Sequence, residues 1–113
     1  MRLYELVVIL DSSLDEDAIS DQLDRIGKTI VSQGGSTVSV DHWGRRRFAY
    51  ELADRWEGYY VVIQAQGEPA MVAELERTLL ITDDVLRHKV IRLPENVASK
   101  ILSRVGSTPA SEN

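Results

Sequence analysis

The chain has 113 residues, of which 43% are hydrophobic and 27% are charged, and its formal net charge is -5 at pH 7. A chain of this length and composition is typical of one globular domain with a hydrophobic core of its own. The sequence contains no cysteine, which excludes disulfides, thiolate metal sites and thiol catalysis. The acidic balance alone argues against nucleic acid as a partner, although an average charge can conceal a local positive field.

The apolar run nearest the start, residues 6–10, does not have the character of a targeting segment. It is too short to span a membrane, and it lacks the apolar region and cleavage site of a secretory signal. We therefore expect a cytoplasmic protein.

The first third of the chain predicts a strand followed by a helix. Residues 3–10 are rich in β-branched and aromatic types and predict a strand. Four aliphatic residues then recur at helical spacing, and they are Ile19, Leu23, Ile26 and Ile30. Ser13 and Glu16 have the spacing of a capping box at the start of this helix, and the glycine pair beginning at Gly34 predicts its end.

The remainder of the chain predicts three more strands and a second helix. The strands are residues 36–52, 59–65 and 85–93. An isolated glycine, Gly44, predicts a bulge in the first of these, and polar residues 53–58 predict the connection to the next. Pro69 suits the first turn of the second helix, whose apolar spacing is that of Val72, Leu75 and Leu79.

The element order β-α-β-β-α-β is that of a ferredoxin-like fold. This order predicts an α+β two-layer sandwich, in which right-handed crossovers place both helices on one face of a four-stranded antiparallel sheet. We expect residues 1–93 to form this domain. Residues 94–113 form a C-terminal tail with weak helical spacing, and its polar end is expected to be disordered.

One face of the predicted sheet carries no helix, and its strands should alternate with polar residues if that face meets only water. Glu5 and Gln64 mark this face in the first and third strands. The apolar residues on the same side are Val7, Ile9, Tyr60 and Val62. An exposed apolar patch of this kind usually indicates a partner, and the alternative is that the chain's own tail covers it.

The acidic excess belongs to the first third of the chain. Residues 1–41 carry 3 basic and 8 acidic groups, whereas residues 42–92 carry 8 of each. Six of the seven aromatic residues fall within residues 43–60, together with Arg45, Arg46, Arg47 and Arg55. Guanidinium groups pair with phosphate and aromatic rings stack on bases, so this composition suits RNA. The alternative, which composition alone favours, is that the consecutive arginines protect a solvated edge strand from aggregation.

The sequence gives no sign of catalytic or metal-binding chemistry. His42 and His88 have no acidic or histidine neighbour at metal-ligand spacing. Acylphosphatases share this topology and bind phosphate after their first strand, but the corresponding residues 11–17 here carry four carboxylates that would repel phosphate. Asp83 and Asp84 are typical of a turn. We expect no enzyme, no cofactor and no metal.

Four segments of the chain together resemble one known family. They are Tyr4-Glu5, the run from Trp43 to Tyr50, Gly58-Tyr59-Tyr60, and residues 79–87. The chain resembles bacterial small-ribosomal-subunit protein number six over residues 1 to 93. The resemblance implies a structural, ribosome-associated protein that is a monomer when isolated. It also implies a heterodimer with small-subunit protein number eighteen that binds the central domain of 16S ribosomal RNA in the platform.

The resemblance further implies candidate residues for RNA binding, while the exact division between RNA and protein contacts stays open. The candidates for RNA binding are Arg2, Trp43, Arg45, Arg46, Arg47 and Arg87. The apolar patch of Val7, Ile9, Tyr60 and Val62 is the candidate for the protein partner. The net charge of -5 makes tight, unaided RNA binding unfavourable, so a basic partner protein is expected to share the task.

A second interpretation is a regulatory module of the same fold that binds a small metabolite and self-associates through its sheet. Such a module would form oligomers and would melt at a higher temperature with its ligand. The ribosomal interpretation predicts a monomer that sediments with small subunits. An acylphosphatase-like enzyme is the third interpretation, and turnover of an acyl phosphate would support it.

Overall fold

The computed structural model describes residues 2–52 and 55–107. The elements in chain order are β1 (Arg2–Asp11), α1 (Glu16–Ser32), β2 (Ser36–Leu52), β3 (Arg55–Gly67), α2 (Pro69–Leu80), β4 (Val85–Arg92) and α3 (Glu95–Ser107). The first six elements have the predicted β-α-β-β-α-β order, so the ferredoxin-like fold class is confirmed.

The four strands form one sheet in the order β2-β3-β1-β4, and all neighbouring strands are antiparallel. β1 and β2 are therefore parallel to each other with β3 between them, and α1 connects them across one face. α2 connects β3 to β4 in the same way. Both helices contribute to a single core against this face, so the opposite face of the sheet carries neither of them.

The core lies between the sheet and the two crossover helices. Alternate residues of β1 point into it, and Leu6, Val8 and Leu10 are each at most 2% exposed. Ile30 of α1 and Met71 of α2 are fully buried against them. Burying an aliphatic side chain of this kind contributes about 1.5–3 kcal/mol, so the alternation in β1 determines which face of the sheet receives the helices.

The start of α1 differs from the prediction, whereas its end agrees with it. The N-cap is Asp15, whose carboxylate accepts a hydrogen bond from the Ala18 N–H at 2.8 Å. Ser13 instead donates from its N–H and its hydroxyl to Asp11 Oδ1 at 3.0 and 2.9 Å. The prediction of a capping box was therefore wrong, because Ser13 is held in a turn that follows β1. Gly34 ends the helix with a φ of 80°.

The β2–β3 hairpin is longer than predicted. β3 begins at Arg55, so the expected connection over residues 53–58 was wrong for residues 55–58, and residues 53 and 54 lie outside the described part of the chain. Arg47 pairs in register with Glu57, and opposite charges across a strand pair stabilise this solvated extension. The predicted bulge is confirmed by a register shift between His42 and Gly44, where Gly44 has a φ of 84°.

The C-terminal residues form α3, which lies against the sheet. Leu93 donates its N–H to the Leu3 carbonyl at 2.9 Å, and α3 then contacts β1. Ala98 of α3 is 5% exposed. Disorder is expected for residues 106–113, but residues 106 and 107 belong to α3, so the expectation was wrong for these two. Residues 108–113 lie outside the described residues. Within residues 2–52 and 55–107, no helix has the length and apolar character needed to cross a membrane.

Candidate functional site

The surface opposite α1 and α2 is named the open face here. Its β1 residues are Leu3, Glu5, Val7 and Ile9, which pair in register with Gln66, Gln64, Val62 and Tyr60 of β3. The structure brings the four predicted partner-binding residues together at the centre of this face. Val7 and Val62 are directly opposite each other, as are Ile9 and Tyr60.

The apolar patch on the open face is less exposed than expected. Ile9 and Val62 are only 8% and 7% exposed, while Val7 and Tyr60 are half-buried. The expectation of an exposed patch is therefore wrong for Ile9 and Val62. Both lie in central strands, where neighbouring side chains of the same face surround them. Gly58 allows the Phe48 ring to approach Ile9, since a Cβ at Gly58 would lie 2.8 Å from Phe48 Cζ.

Part of the tail lies at one end of the open face. Leu3 is 1% exposed although its side chain points away from the helix-facing core. The hydrogen bond from Leu93 to Leu3 places the start of α3 beside this residue. The tail therefore lies beside the Leu3 end of the open face. The half-buried Val7 and Tyr60 lie further along the strands.

An aromatic–arginine cluster lies on the open face beside the bulge of β2, and its members are Trp43, Arg46 and Tyr60. The Trp43 and Tyr60 rings are stacked, with centroids 6.5 Å apart and planes 10° from parallel. The Arg46 guanidinium lies 5.5 Å from the centroid of the Trp43 ring. Trp43 also donates its Nε1–H to Asp41 Oδ2 at 3.0 Å. A stacked indole beside a guanidinium presents a surface that binds bases and phosphates.

Arg45 points to the other side of the sheet from Arg46. Its Nε and Nη2 donate hydrogen bonds to the carbonyl oxygens of Ser12 and Leu14, both at 3.0 Å. Its guanidinium also lies 5.6 Å from the centroid of the Tyr59 ring. The three consecutive arginines therefore do not share one surface, because strand alternation turns Arg45 toward the connection between β1 and α1.

Arg45→Ala is expected to lower the free energy of unfolding by about 1–2 kcal/mol, because it removes two charge-assisted hydrogen bonds to backbone carbonyls. Arg46→Ala is the matched control and loses only an exposed ring contact of about 0.5 kcal/mol. Urea denaturation of both variants measures the difference. Equal stability of the two variants would contradict a structural role for Arg45.

The remaining predicted RNA-binding residues are at two places. Arg87 lies on the open face in register with Ile9, and together with Arg47 it lines a cleft beside the aromatic–arginine cluster. Arg2 lies near the opposite end of the sheet, roughly 20 Å from Ile9 at about 3.3 Å per residue. Arg2 Nη1 is 3.3 Å from Glu68 Oε1. The structure thus gathers Trp43, Arg46 and Arg87 on the open face. Strand alternation places Arg47 on the same side of the sheet as Arg45, and Arg2 lies apart from all of them.

Asp11 links the β2–β3 hairpin to the turn between β1 and α1. Its carboxylate pairs with Arg55 Nη2 at 3.1 Å, and the same carboxylate accepts two hydrogen bonds from Ser13. The Ser13 backbone hydrogen bond, followed by that from Arg55, lowers the pKa of the Asp11 carboxyl below its usual range. A negative charge therefore stays on Asp11 at neutral pH, where it holds the turn after β1.

His42 and Asp84, two of the residues expected to be chemically inert, have structural contacts. His42 Nδ1 lies 2.9 Å from the Tyr59 hydroxyl, and Asp84 Oδ2 accepts a hydrogen bond from Gln22 Nε2 at 3.2 Å. Among the residues that the structure describes, no group of three histidine, aspartate or glutamate side chains could hold a metal ion. Phe48 and Tyr50 were not among the predicted site residues, although their alternation with Arg46 places all three on one face.

The chain is similar to known proteins over most of its length. A family model described as Ribosomal protein S6 matches residues 3–92. The small ribosomal subunit protein bS6 of Salinispora arenicola is 53% identical over 92 residues, which are 81% of this chain and 96% of that protein. The protein of the same name from Moorella thermoacetica is 41% identical over 98 residues, which are 87% of this chain and 100% of that protein.

A solved structure supports the same assignment. The crystal structure of 30S ribosomal protein S6 from Thermotoga maritima matches with a TM-score of 0.81 and 26% sequence identity, covering 91% of this chain and 97% of that chain. The sequence and the fold therefore point to the same family. The chain belongs to the ribosomal protein S6 family, as a structural, ribosome-associated protein of the small subunit in the bacterial cytoplasm and not an enzyme.

Proposed function

We propose that this protein binds the central domain of 16S ribosomal RNA in the platform, as a heterodimer with small-subunit protein number eighteen. The observation that carries the proposal is the composition of the open face. The apolar centre, with Val7 and Val62 opposite each other, borders directly on the aromatic–arginine cluster. One continuous surface thus offers two different kinds of contact.

The aromatic–arginine cluster supports the RNA part of the proposal. Arg46 and Arg87 are exposed on the open face, where their charges are available to phosphates. Trp43 is 47% exposed beside Tyr60 and Arg46, so part of its indole is accessible for stacking on a base. Arg45 holds the hairpin to the β1–α1 connection and thereby supports the strand that carries Trp43 and Arg46.

The centre of the open face supports the protein part of the proposal. Val7 is half-buried and lies in register with Val62 on one side and Lys89 on the other. A docking protein would complete the burial of Val7, whose in-register neighbour Val62 is already buried.

The distribution of charge explains why a partner is needed. The eight acidic groups of residues 1–41 give the chain its net negative charge, and most of them lie on or beside α1, on the other face of the sheet. RNA that approaches the open face meets arginines, but the overall charge lowers its affinity for the chain alone. A basic partner protein beside these arginines would compensate for the net negative charge and raise the affinity for RNA.

The proposal is tested by reconstitution with a transcript of the 16S central domain and purified protein eighteen. We expect the chain to form a one-to-one complex with protein eighteen, and the pair to bind the transcript more tightly than either protein alone. Gel filtration measures the protein complex and filter binding measures the RNA affinity. Independent binding of the two proteins, with no gain in affinity for the pair, would contradict the heterodimer.

A further inference from the structure

A cleft on the open face lies between the far part of the β2–β3 hairpin and β4. Its lining includes three aromatic residues, two arginines and one isoleucine, which are Phe48, Tyr50, Tyr60, Arg47, Arg87 and Ile9. Its volume is ≈ 230 Å³. Pockets that enclose drug-sized ligands measure roughly 300–1,000 Å³, so this cleft suits a single ring system.

Long-range contacts hold the cleft in shape. Arg87 Nη1 donates a hydrogen bond to the Tyr50 hydroxyl at 3.3 Å and so connects β4 to the hairpin. The Phe48 and Tyr60 rings lie 6.2 Å apart at an angle of 58°, so they form two walls that are not parallel. Tyr50 is 55% exposed and leaves one side of its ring accessible at the opening.

The side chains that line the cleft favour one chemical class of ligand. Aromatic rings stack on nucleobases regardless of sequence, and guanidinium groups pair with phosphate. None of the described residues that line the cleft is acidic, so the cleft offers no counter-charge to the lysines and arginines of a basic protein. An anionic ligand with a planar ring satisfies both features of the lining.

We propose that this cleft binds one unpaired nucleotide of ribosomal RNA, with its base stacked on Tyr50 and its phosphate paired with Arg87. This inference rests on the proposed RNA-binding function and deepens it. It assigns to RNA the end of the open face that contains Ile9 and Tyr60, and it leaves Val7 and Val62 to the protein partner.

The test measures the affinity of the heterodimer with protein eighteen for the 16S central-domain transcript. Tyr50→Ala is expected to lower this affinity roughly 5- to 150-fold, the range for losing one base–aromatic stack. Tyr50→Phe keeps the ring and loses only the 3.3 Å hydrogen bond from Arg87, so it is expected to retain most of the wild-type affinity. Arg87→Gln is expected to reduce the salt dependence by about one phosphate contact, whereas Arg25→Gln on α1 serves as the charge-matched control.

Chemical probing of the transcript then identifies the nucleotide. The base that the wild-type heterodimer protects and the Tyr50→Ala heterodimer leaves reactive is the candidate occupant of the cleft. Removing that base from the transcript should lower the affinity of the wild-type protein to the level of Tyr50→Ala. The two changes combined should have no further effect, because both remove the same stack.

The outcomes separate this inference from the function on which it rests. Unchanged RNA affinity of Tyr50→Ala, or an equal loss in Tyr50→Phe, overturns the nucleotide cleft while the wild-type heterodimer still binds RNA. A loss of affinity for protein eighteen in the absence of RNA shows that a protein side chain fills the cleft and also overturns it. Failure of the wild-type heterodimer to bind the transcript overturns the proposed function itself.

Discussion

Val7→Glu is expected to weaken binding of protein eighteen by roughly 100-fold or more, the loss typical of a central interface position. Val7 is half-buried at the centre of the open face, between Val62 and Lys89. In the free chain the new carboxylate reaches solvent and Lys89, so the free energy of unfolding should fall by only about 1 kcal/mol. In the complex the same carboxylate would be buried against the partner, and an unpaired buried charge costs several kcal/mol.

Two further variants make this prediction specific. Val31→Glu adds the same charge to α1, where Val31 is 68% exposed, and it should bind protein eighteen normally. Val62→Glu adds the charge at a residue that is 7% exposed, so it should itself lower the free energy of unfolding by about 2–4 kcal/mol. Calorimetric titration and urea denaturation give the two readouts. Equal affinities of Val7→Glu and Val31→Glu would show that the partner binds another surface.

Replacing Arg46 and Arg87 together by glutamine is expected to lower the affinity of the heterodimer for the 16S central domain about 10- to 100-fold, from the loss of two charge-assisted phosphate contacts on the open face. The dependence of the logarithm of affinity on the logarithm of salt should become shallower by about 2. Both arginines are exposed, so the fold should tolerate the change. Filter binding at several salt concentrations measures both quantities.

The matched control replaces Arg25 and Lys28 by glutamine. These exposed residues lie on α1, on the other side of the sheet, and their loss changes the net charge by the same amount. If the control lowers RNA affinity as much as the first variant does, net charge rather than the open face determines binding. A normal RNA affinity in the control assigns the effect to Arg46 of the hairpin and Arg87 of β4.

The sequence predicted the fold class correctly because the signals that define it are local. Apolar residues at helical spacing marked α1 and α2, and β-branched runs marked the strands. The prediction of Gly34 as a helix stop and of Gly44 as a bulge also agreed with the structure, since both glycines have a positive φ that other residues rarely adopt. The errors lay at element ends, where Asp15 replaced Ser13 as the cap.

The site was harder to predict because a bulge changes the phase of strand alternation. The register shift between His42 and Gly44 decides that Trp43 stacks on Tyr60 and that Arg46 faces the same way. Strand alternation alone separates Arg45 from Arg46, but only the phase set by the bulge shows which of the two lies on the open face. Arg45 binds two carbonyl oxygens more than 30 positions earlier in the chain, a contact that only the folded hairpin brings about.

The burial of side chains on the open face also depends on tertiary structure. Alternation in β1 correctly placed Val7 and Ile9 on one side, yet only the sheet order shows that β1 and β3 are central strands whose side chains shelter one another. The contribution of α3 beside Leu3 also depends on where the chain returns after β4. Exposure depends on neighbours from distant segments, which periodicity does not specify.

The sequence by itself determined the order of the elements, the fold class and the location of the acidic excess in residues 1–41, because these follow from local propensity and composition. Family membership also follows from residue identities, since it rests on matches along the chain. The tertiary structure decided which arginines share the open face, which apolar residues are already buried, and that a cleft opens beside Tyr50. These features arise from strand register and from contacts between distant residues, so they exist only once the sheet is assembled.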